Sequence, residues 1–287
     1  MKVIQALQKG KSTLSFEFFP PKTREQEARL FEVISQLKDF SPDFVSVTYG
    51  ALGASRGKSF FWVERIKQDF GIEPLAHLTC VAASKKEMRA QLQELQKMGA
   101  ENILALRGDP PEEEKGFVPP ADGFRFAREL VSFIKQDFPE ICLGVAGYPE
   151  KHPEATDLEA DIRHLKEKVD AGADYVMTQL FFNNKYYFDF VDKCRRVGVK
   201  VPIIPGIMPI TSLKQIRKMT EICGATIPAG LLEKMERFES DRAAIENIGV
   251  EQAVSQAKEL LQAKVPGLHF FVLNRSGPIS RILRDLA

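Results

Sequence analysis

The sequence predicts an α/β protein, a (β/α)8 TIM barrel with extra helices before the last strand. Three observations point there. Short apolar runs rich in Val, Ile, Phe and Tyr alternate with longer amphipathic stretches, the pattern of parallel strands joined by helical crossovers. The apolar runs number eight. The 287 residues suit one catalytic barrel domain spanning 1–287, since about 250 residues are typical. The runner-up is an open doubly wound sheet, which usually grips a dinucleotide through a glycine-rich first turn. Here the first turn reads FFPPKT, with no GxGxxG, which argues against it.

The elements follow in order. The opening segment MKVIQALQKGKS reads as a short polar helix. Strands are expected at LSFEFF (14–19), FVSVTY (44–49), LAHLT (75–79), NILALRG (102–108), CLGVAGY (142–148), YVMTQLFF (175–182), PIIPGIM (202–208) and LHFFVLN (268–274). After the first strand, Leu30, Ile34 and Leu37 recur at helical spacing. A helix opens on Ser84 with Glu87 three residues on, a capping box, and stops at Gly99. Another runs from near Asp157 to Gly172, and one ends at Gly224. Residues 211–263 exceed a single helix, which places the extra helices there.

With 40 basic and 39 acidic residues, the net charge of +1 gives no reason to expect nucleic acid or an anionic membrane as partner. No run of 18 apolar residues suggests a membrane span, and the N-terminus has no signal-peptide core. A cytoplasmic location is therefore expected. Cys80, Cys142, Cys194 and Cys223 are far apart, so they read as free buried thiols.

Barrel enzymes gather their chemistry at the C-terminal ends of the strands. Those ends offer Glu17, Thr48, Tyr49, His77, Arg107, Asp109, Tyr148, Gln179 and Arg275. In SFEFF, alternation puts Ser15, Glu17 and Phe19 on one face and Leu14, Phe16 and Phe18 on the other. If the phenylalanines face the helices, Glu17 points into the barrel mouth. Desolvation there is expected to raise its pKa, making it a candidate general acid. The competing reading is a structural glutamate paired with an arginine or lysine. Arg107 and Asp109 are either a site pair or a plain ion pair. Asp161, His164 and Lys168 share one helix side and could bind a ribose and a phosphate, or form a solvated charged face. His77 and His164 lack the spacing of a metal motif, and no metal is expected.

Taken together, SFEFFPPKT, PDFVSVTYGA, HLTC, ALRGDPP, YPEKHPEA, KVDAGADYVMTQLFF, IIPGIMPI and FFVLNR resemble the methylenetetrahydrofolate reductase family, the FAD-dependent bacterial type, over nearly the whole chain. The resemblance implies a barrel that binds FAD. It also implies ping-pong hydride transfer that reduces 5,10-methylenetetrahydrofolate to 5-methyltetrahydrofolate. It makes Glu17 the general acid, and places Asp109 and Gln179 on the folate. For FAD it carries over Tyr49, Ala51, His77, Arg107, Gly108, Asp109, Ala127, Tyr148, His152, Asp161, His164 and Lys168. Thr48 and Arg275 look like positions near the nicotinamide or folate.

The chain departs from the family pattern in three places. Phe126 stands where a Tyr is frequent, and His164 where an Asn is common. The helix after PGIMPI offers Leu213, Ile216 and Met219 where an aromatic can stack the nicotinamide. The electron donor is thus NADH, NADPH or an electron-donating protein partner. A flavin-free pterin-binding methyltransferase is the alternative activity. A homo-oligomer is expected by family habit, and control by a eukaryotic-type regulatory extension is not expected.

Overall fold

The computed structural model describes residues 1–48, 56–108 and 120–287, and the side chains of 56–59 are not among them. Eight parallel strands close into a barrel in chain order: β1 (Thr13–Phe18), β2 (Phe44–Val47), β3 (Glu73–Thr79), β4 (Asn102–Leu106), β5 (Cys142–Gly147), β6 (Tyr175–Leu180), β7 (Ile203–Ile207) and β8 (Gly267–Phe271). All eight expected strands are present. Most stop one to three residues earlier than the apolar runs suggest. β8 stops because Leu273 and Asn274 turn to φ 54° and 53°, a left-handed conformation no strand continues through.

The helices that carry the argument are α1 (Val3–Leu7), α2 (Arg24–Lys38), α3 (Arg56–Arg65), α4 (Lys85–Lys97), α5 (Ala127–Asp137), α6 (Leu158–Asp170) and α7 (Asn184–Arg196). Three more, α8 (Leu213–Cys223), α9 (Ala229–Glu236) and α10 (Arg242–Gln262), precede β8, and α11 (Ser276–Leu286) follows it. The expected extra helices are α8 to α10. The capping box of α4 forms as read: Ser84 Oγ accepts from the Glu87 N–H, and the Glu87 carboxylate accepts from the Ser84 N–H at 2.8 Å.

Strand parity sorts the side chains. Phe16, Phe18, Val45, Val47, Ala76, Leu78, Ile103, Leu143, Val145, Val176 and Phe270 point outward and join the helices in the main core. The alternate positions point inward. Phe44, Leu75, Leu104, Cys142, Tyr175, Met177 and Ile204 pack as one layer inside the barrel, with Val3 of α1 beneath them. Gly144 makes room there, because a Cβ at that position would sit 2.6 Å from the Tyr175 ring. Near the barrel's other end, Gly249 lets α10 press against the chain leaving β7. A Cβ on it would lie 1.9 Å from the Ile210 carbonyl oxygen.

Candidate active site

Above the apolar layer, β1 contributes Glu17 and Ser15 to the interior, and β2, β3 and β8 contribute Ser46, His77 and His269. Register aligns Glu17 with Ser46 across β1 and β2, and Ser15 with His269 across β1 and β8. The result is a cluster on a single oxygen. Glu17 Oε2 accepts from Ser46 Oγ at 3.3 Å, lies 3.2 Å from His269 Nε2, and lies 3.5 Å from His77 Nε2. His269 is completely buried and its Nδ1 meets Ser15 Oγ at 2.9 Å. The Glu17 side chain keeps 12% of its exposure. His77 Nε2 is buried and makes no hydrogen bond among the described residues.

Two expectations are corrected here. The partners of Glu17 are imidazoles and a hydroxyl, not an arginine or lysine. Its carboxyl is also held below, not above, the ordinary carboxylate range. Burial is the largest influence and pushes upward. The charge of His77, the hydrogen bond and charge of His269, and the Ser46 hydroxyl together outweigh it. Burial in turn pushes His77 down. Groups this closely coupled exchange protons as a set.

A second feature opens beside the ends of β4 to β6. It is a cleft of about 330 Å³ lined by Arg107, Phe126, Ala127, His152, Asp161, His164 and Lys168, among others. α6 supplies three of these because positions 161, 164 and 168 lie on one side of its axis. Asp161 and Lys168 are half-buried there and His164 is exposed. Lys168 Nζ donates to the Ala146 carbonyl at 2.6 Å, and burial draws its pKa down to about 8 against the pull of Asp161. Asp161 Oδ2 accepts from the His152 N–H at 2.9 Å, and the Tyr148 ring stands edge-on to His152 at 4.7 Å. Burial and the Arg107 charge push His152 below its ordinary value. The guanidinium of Arg107 forms a fork on Glu154, at 2.5 and 2.8 Å. Phe126 is half exposed, with Arg128 over its ring at 5.6 Å.

The other candidates are placed as follows. Thr48 follows β2 and its N–H donates to the Phe18 carbonyl. Gly108 takes φ 82°, and a Cβ there would meet Thr79 and Val81 at 2.8 Å. Gln179 faces inward from β6, its Oε1 accepting from the Leu180 N–H at 2.9 Å. Arg275 is held apart from the main cleft by a 2.6 Å bond to Glu246, and lines a different cavity with Phe19 and Asn274. Tyr49, Ala51 and Asp109 lie outside the described residues. Leu213 and Ile216 are buried in a core under α8 with Met208, Ile210 and Met235, so they offer no stacking surface. All four cysteines are free and buried. Among the described residues no group of three or more His, Cys, Asp or Glu could hold a metal, and no helix is long and apolar enough to cross a membrane.

Sequence reasoning missed His269, Ser46 and Glu154 as site residues. A lone imidazole inside the apolar run LHFF, at inward parity, was the available signal for His269. A lone hydroxyl inside FVSV was the signal for Ser46.

The fold is a (β/α)8 barrel whose polar cluster and cleft gather at the C-terminal ends of its strands. The family model "Methylenetetrahydrofolate reductase" matches residues 2–287, and the chain belongs to that family. It is 38% identical over 269 residues to the 5,10-methylenetetrahydrofolate reductase of Escherichia coli, covering 93% of this chain and 88% of that one. It is 34% identical over 295 residues to methylenetetrahydrofolate reductase (NADH) 1 of Arabidopsis thaliana, covering 99% of this chain. The chain spans about half the length of that plant relative and of the rice and maize ones. Among solved structures, an uncharacterized Clostridium thermocellum protein, described as binding two copies of 5-methyl-5,6,7,8-tetrahydrofolic acid, superposes with a TM-score of 0.69. It shares 20% identity, over 98% of this chain and 96% of that one, and so speaks to the fold.

Proposed function

We propose that this chain reduces 5,10-methylenetetrahydrofolate to 5-methyltetrahydrofolate, with FAD as cofactor and NADH or NADPH as electron donor. The observation that carries the reading is a largely buried carboxylate, Glu17, set among imidazoles in the barrel mouth. FAD suits the residues present. The cleft joins cations (Lys168, Arg107) that match a pyrophosphate to a carboxylate (Asp161) that matches a ribose hydroxyl. The buried His77 Nε2 makes no hydrogen bond among the described residues and lies 3.5 Å from Glu17 Oε2, which leaves it open to a group bound beside Glu17.

When bound, FAD supplies the two-electron chemistry, taking a hydride from the donor and passing one to the methylene carbon. The chain's own residues do the rest. Lys168 and Arg107 neutralise phosphate charge, and Asp161, His152 and His164 orient the dinucleotide. Gln179 and Asp109 hold the folate ring, and Thr48 and Arg275 address the folate or nicotinamide. Glu17 donates a proton to the bridge nitrogen of the substrate, so that the five-membered ring opens to a reactive iminium. Its resting state is ionised. A ligand that closes the mouth removes its remaining exposure and raises its hold on a proton, so the acid is armed by the substrate. The names of the plant relatives favour NADH as donor. The missing aromatic platform on α8 keeps an electron-donating protein partner as the second reading.

The test is Glu17→Gln. The purified protein should be yellow with FAD, and anaerobic flavin reduction by the donor should survive the substitution. Oxidation of the reduced flavin by methylene-folate should fall by about 10²–10⁴, the usual worth of a positioned acid. Full turnover by the variant, or a wild-type protein that cannot be loaded with FAD, would sink the reading.

A further inference from the structure

All the contacts of Glu17 converge on one of its two oxygens. Ser46 Oγ, His269 Nε2 and His77 Nε2 all approach Oε2. Among the described residues nothing bonds Oε1. A carboxylic acid holds its proton on one oxygen, and that oxygen decides where the proton can go. Whichever oxygen is surrounded by donors is the acceptor, and the proton is driven to the other.

His269 sets this outcome, and Ser15 sets His269. The Ser15 hydroxyl lies 2.9 Å from His269 Nδ1 and 3.3 Å from the Leu268 carbonyl oxygen. It has one hydrogen. Given to the nearer ring nitrogen, it leaves the imidazole proton on Nε2, facing Oε2 at 3.2 Å. Given to the carbonyl instead, it would let the imidazole proton sit on Nδ1. Nε2 would then present a lone pair to Glu17, and the carboxyl would turn its proton inward to satisfy it.

We propose that Ser15 and His269 are positioning residues for the acid. They fix Oε2 as an acceptor, so that the transferable proton of Glu17 rides on Oε1, the oxygen left for the substrate. Neither residue touches the substrate in this scheme. The inference rests on the proposed reaction for its catalytic consequence, but not for its geometry. Three groups facing Glu17 define the clamp, namely Ser46 from β2, His77 from β3 and His269 from β8, and Ser15 on β1 stands behind His269.

The experiment uses Ser15→Ala, a small change at a buried position. The chain has four histidines, so selective ¹⁵N-histidine labelling yields four imidazoles to assign by NMR. Wild-type protein, without cofactor or folate, should show His269 protonated at Nε2 only. Ser15→Ala should move the ring toward Nδ1 protonation. The loaded variant should lose at least about tenfold in kcat for the folate step with KM for the folate unchanged, a part of what a positioned acid supplies. His269→Gln keeps an N–H near the Nε2 position and should retain more of kcat than His269→Leu. A wild-type His269 protonated at Nδ1 overturns the proposal. So does a Ser15→Ala variant with unchanged ring signals and unchanged kcat. If the ring behaves as expected but wild-type protein does not reduce methylene-folate, the proposed reaction fails while the clamp geometry stands.

Discussion

If Lys168 holds the FAD pyrophosphate as proposed, it couples cofactor binding to pH. Its amine is drawn down to about 8 by burial in the cleft. An incoming pyrophosphate supplies opposite charge and pulls the amine back toward its ordinary value near 10.5. Binding above pH 8 must therefore take up a proton. FAD affinity should be flat below that point, then fall about tenfold per pH unit above it, until the amine of the complex itself titrates. A hydrogen bond to a charged group contributes about 1.5–3 kcal/mol. Lys168→Met, which keeps the apolar stem and loses the charge, should thus weaken FAD at pH 7 by roughly ten- to a hundredfold, at about 1.4 kcal/mol per decade. The assay is titration of FAD fluorescence at pH 6.5, 7.5, 8.5 and 9.5 for both proteins. The diagnostic result is the slope, which the variant should lose. Equal slopes in the two proteins, or an unchanged affinity at pH 7, would refute the assignment of Lys168 to the phosphates.

Two further predictions concern the scaffold. Gly249→Ala forces a Cβ to within 1.9 Å of the Ile210 oxygen, and should cost about 3 kcal/mol, the upper end of the overpacking range. A urea midpoint shifted by less than about 0.5 kcal/mol would show that α10 moves away freely. Tyr175→Phe should stabilise the barrel by about 1 kcal/mol, since the buried Tyr175 hydroxyl has no hydrogen-bond partner among the described residues. A loss of stability on the same measurement would mean that the hydroxyl does have one.

Much of the barrel was legible because parity and period carry it. Phe16 and Phe18 face the helices, and that alone aims Glu17 inward. The spacing of Asp161, His164 and Lys168 places them on one side of α6, where the cleft lies. What the sequence could not show was pairing between distant strands. His269 lies 252 residues from Glu17 and reaches it only through the β8–β1 register that closes the barrel. The expected upward shift of the Glu17 pKa failed for the same reason. Burial was foreseen from the neighbouring phenylalanines, but the imidazoles that outweigh it come from β3 and β8. Arg107 likewise finds its carboxylate in Glu154, beyond β5, a partner that no local spacing announces.

The layer of Phe44, Leu75, Leu104, Tyr175 and Ile204 beneath the polar cluster is a largely apolar floor. Among the described residues its one hydroxyl, that of Tyr175, has no hydrogen-bond partner, so no bonded side-chain relay crosses it. Proton exchange of Glu17 is then expected through the mouth, where the carboxylate keeps its exposure. On the proposed reaction, the ionised Glu17 takes up its proton as the folate enters, before the ligand closes the mouth to water. Recharging of the acid becomes an event of ligand exchange. Turnover is then metered by departure of product as well as by chemistry.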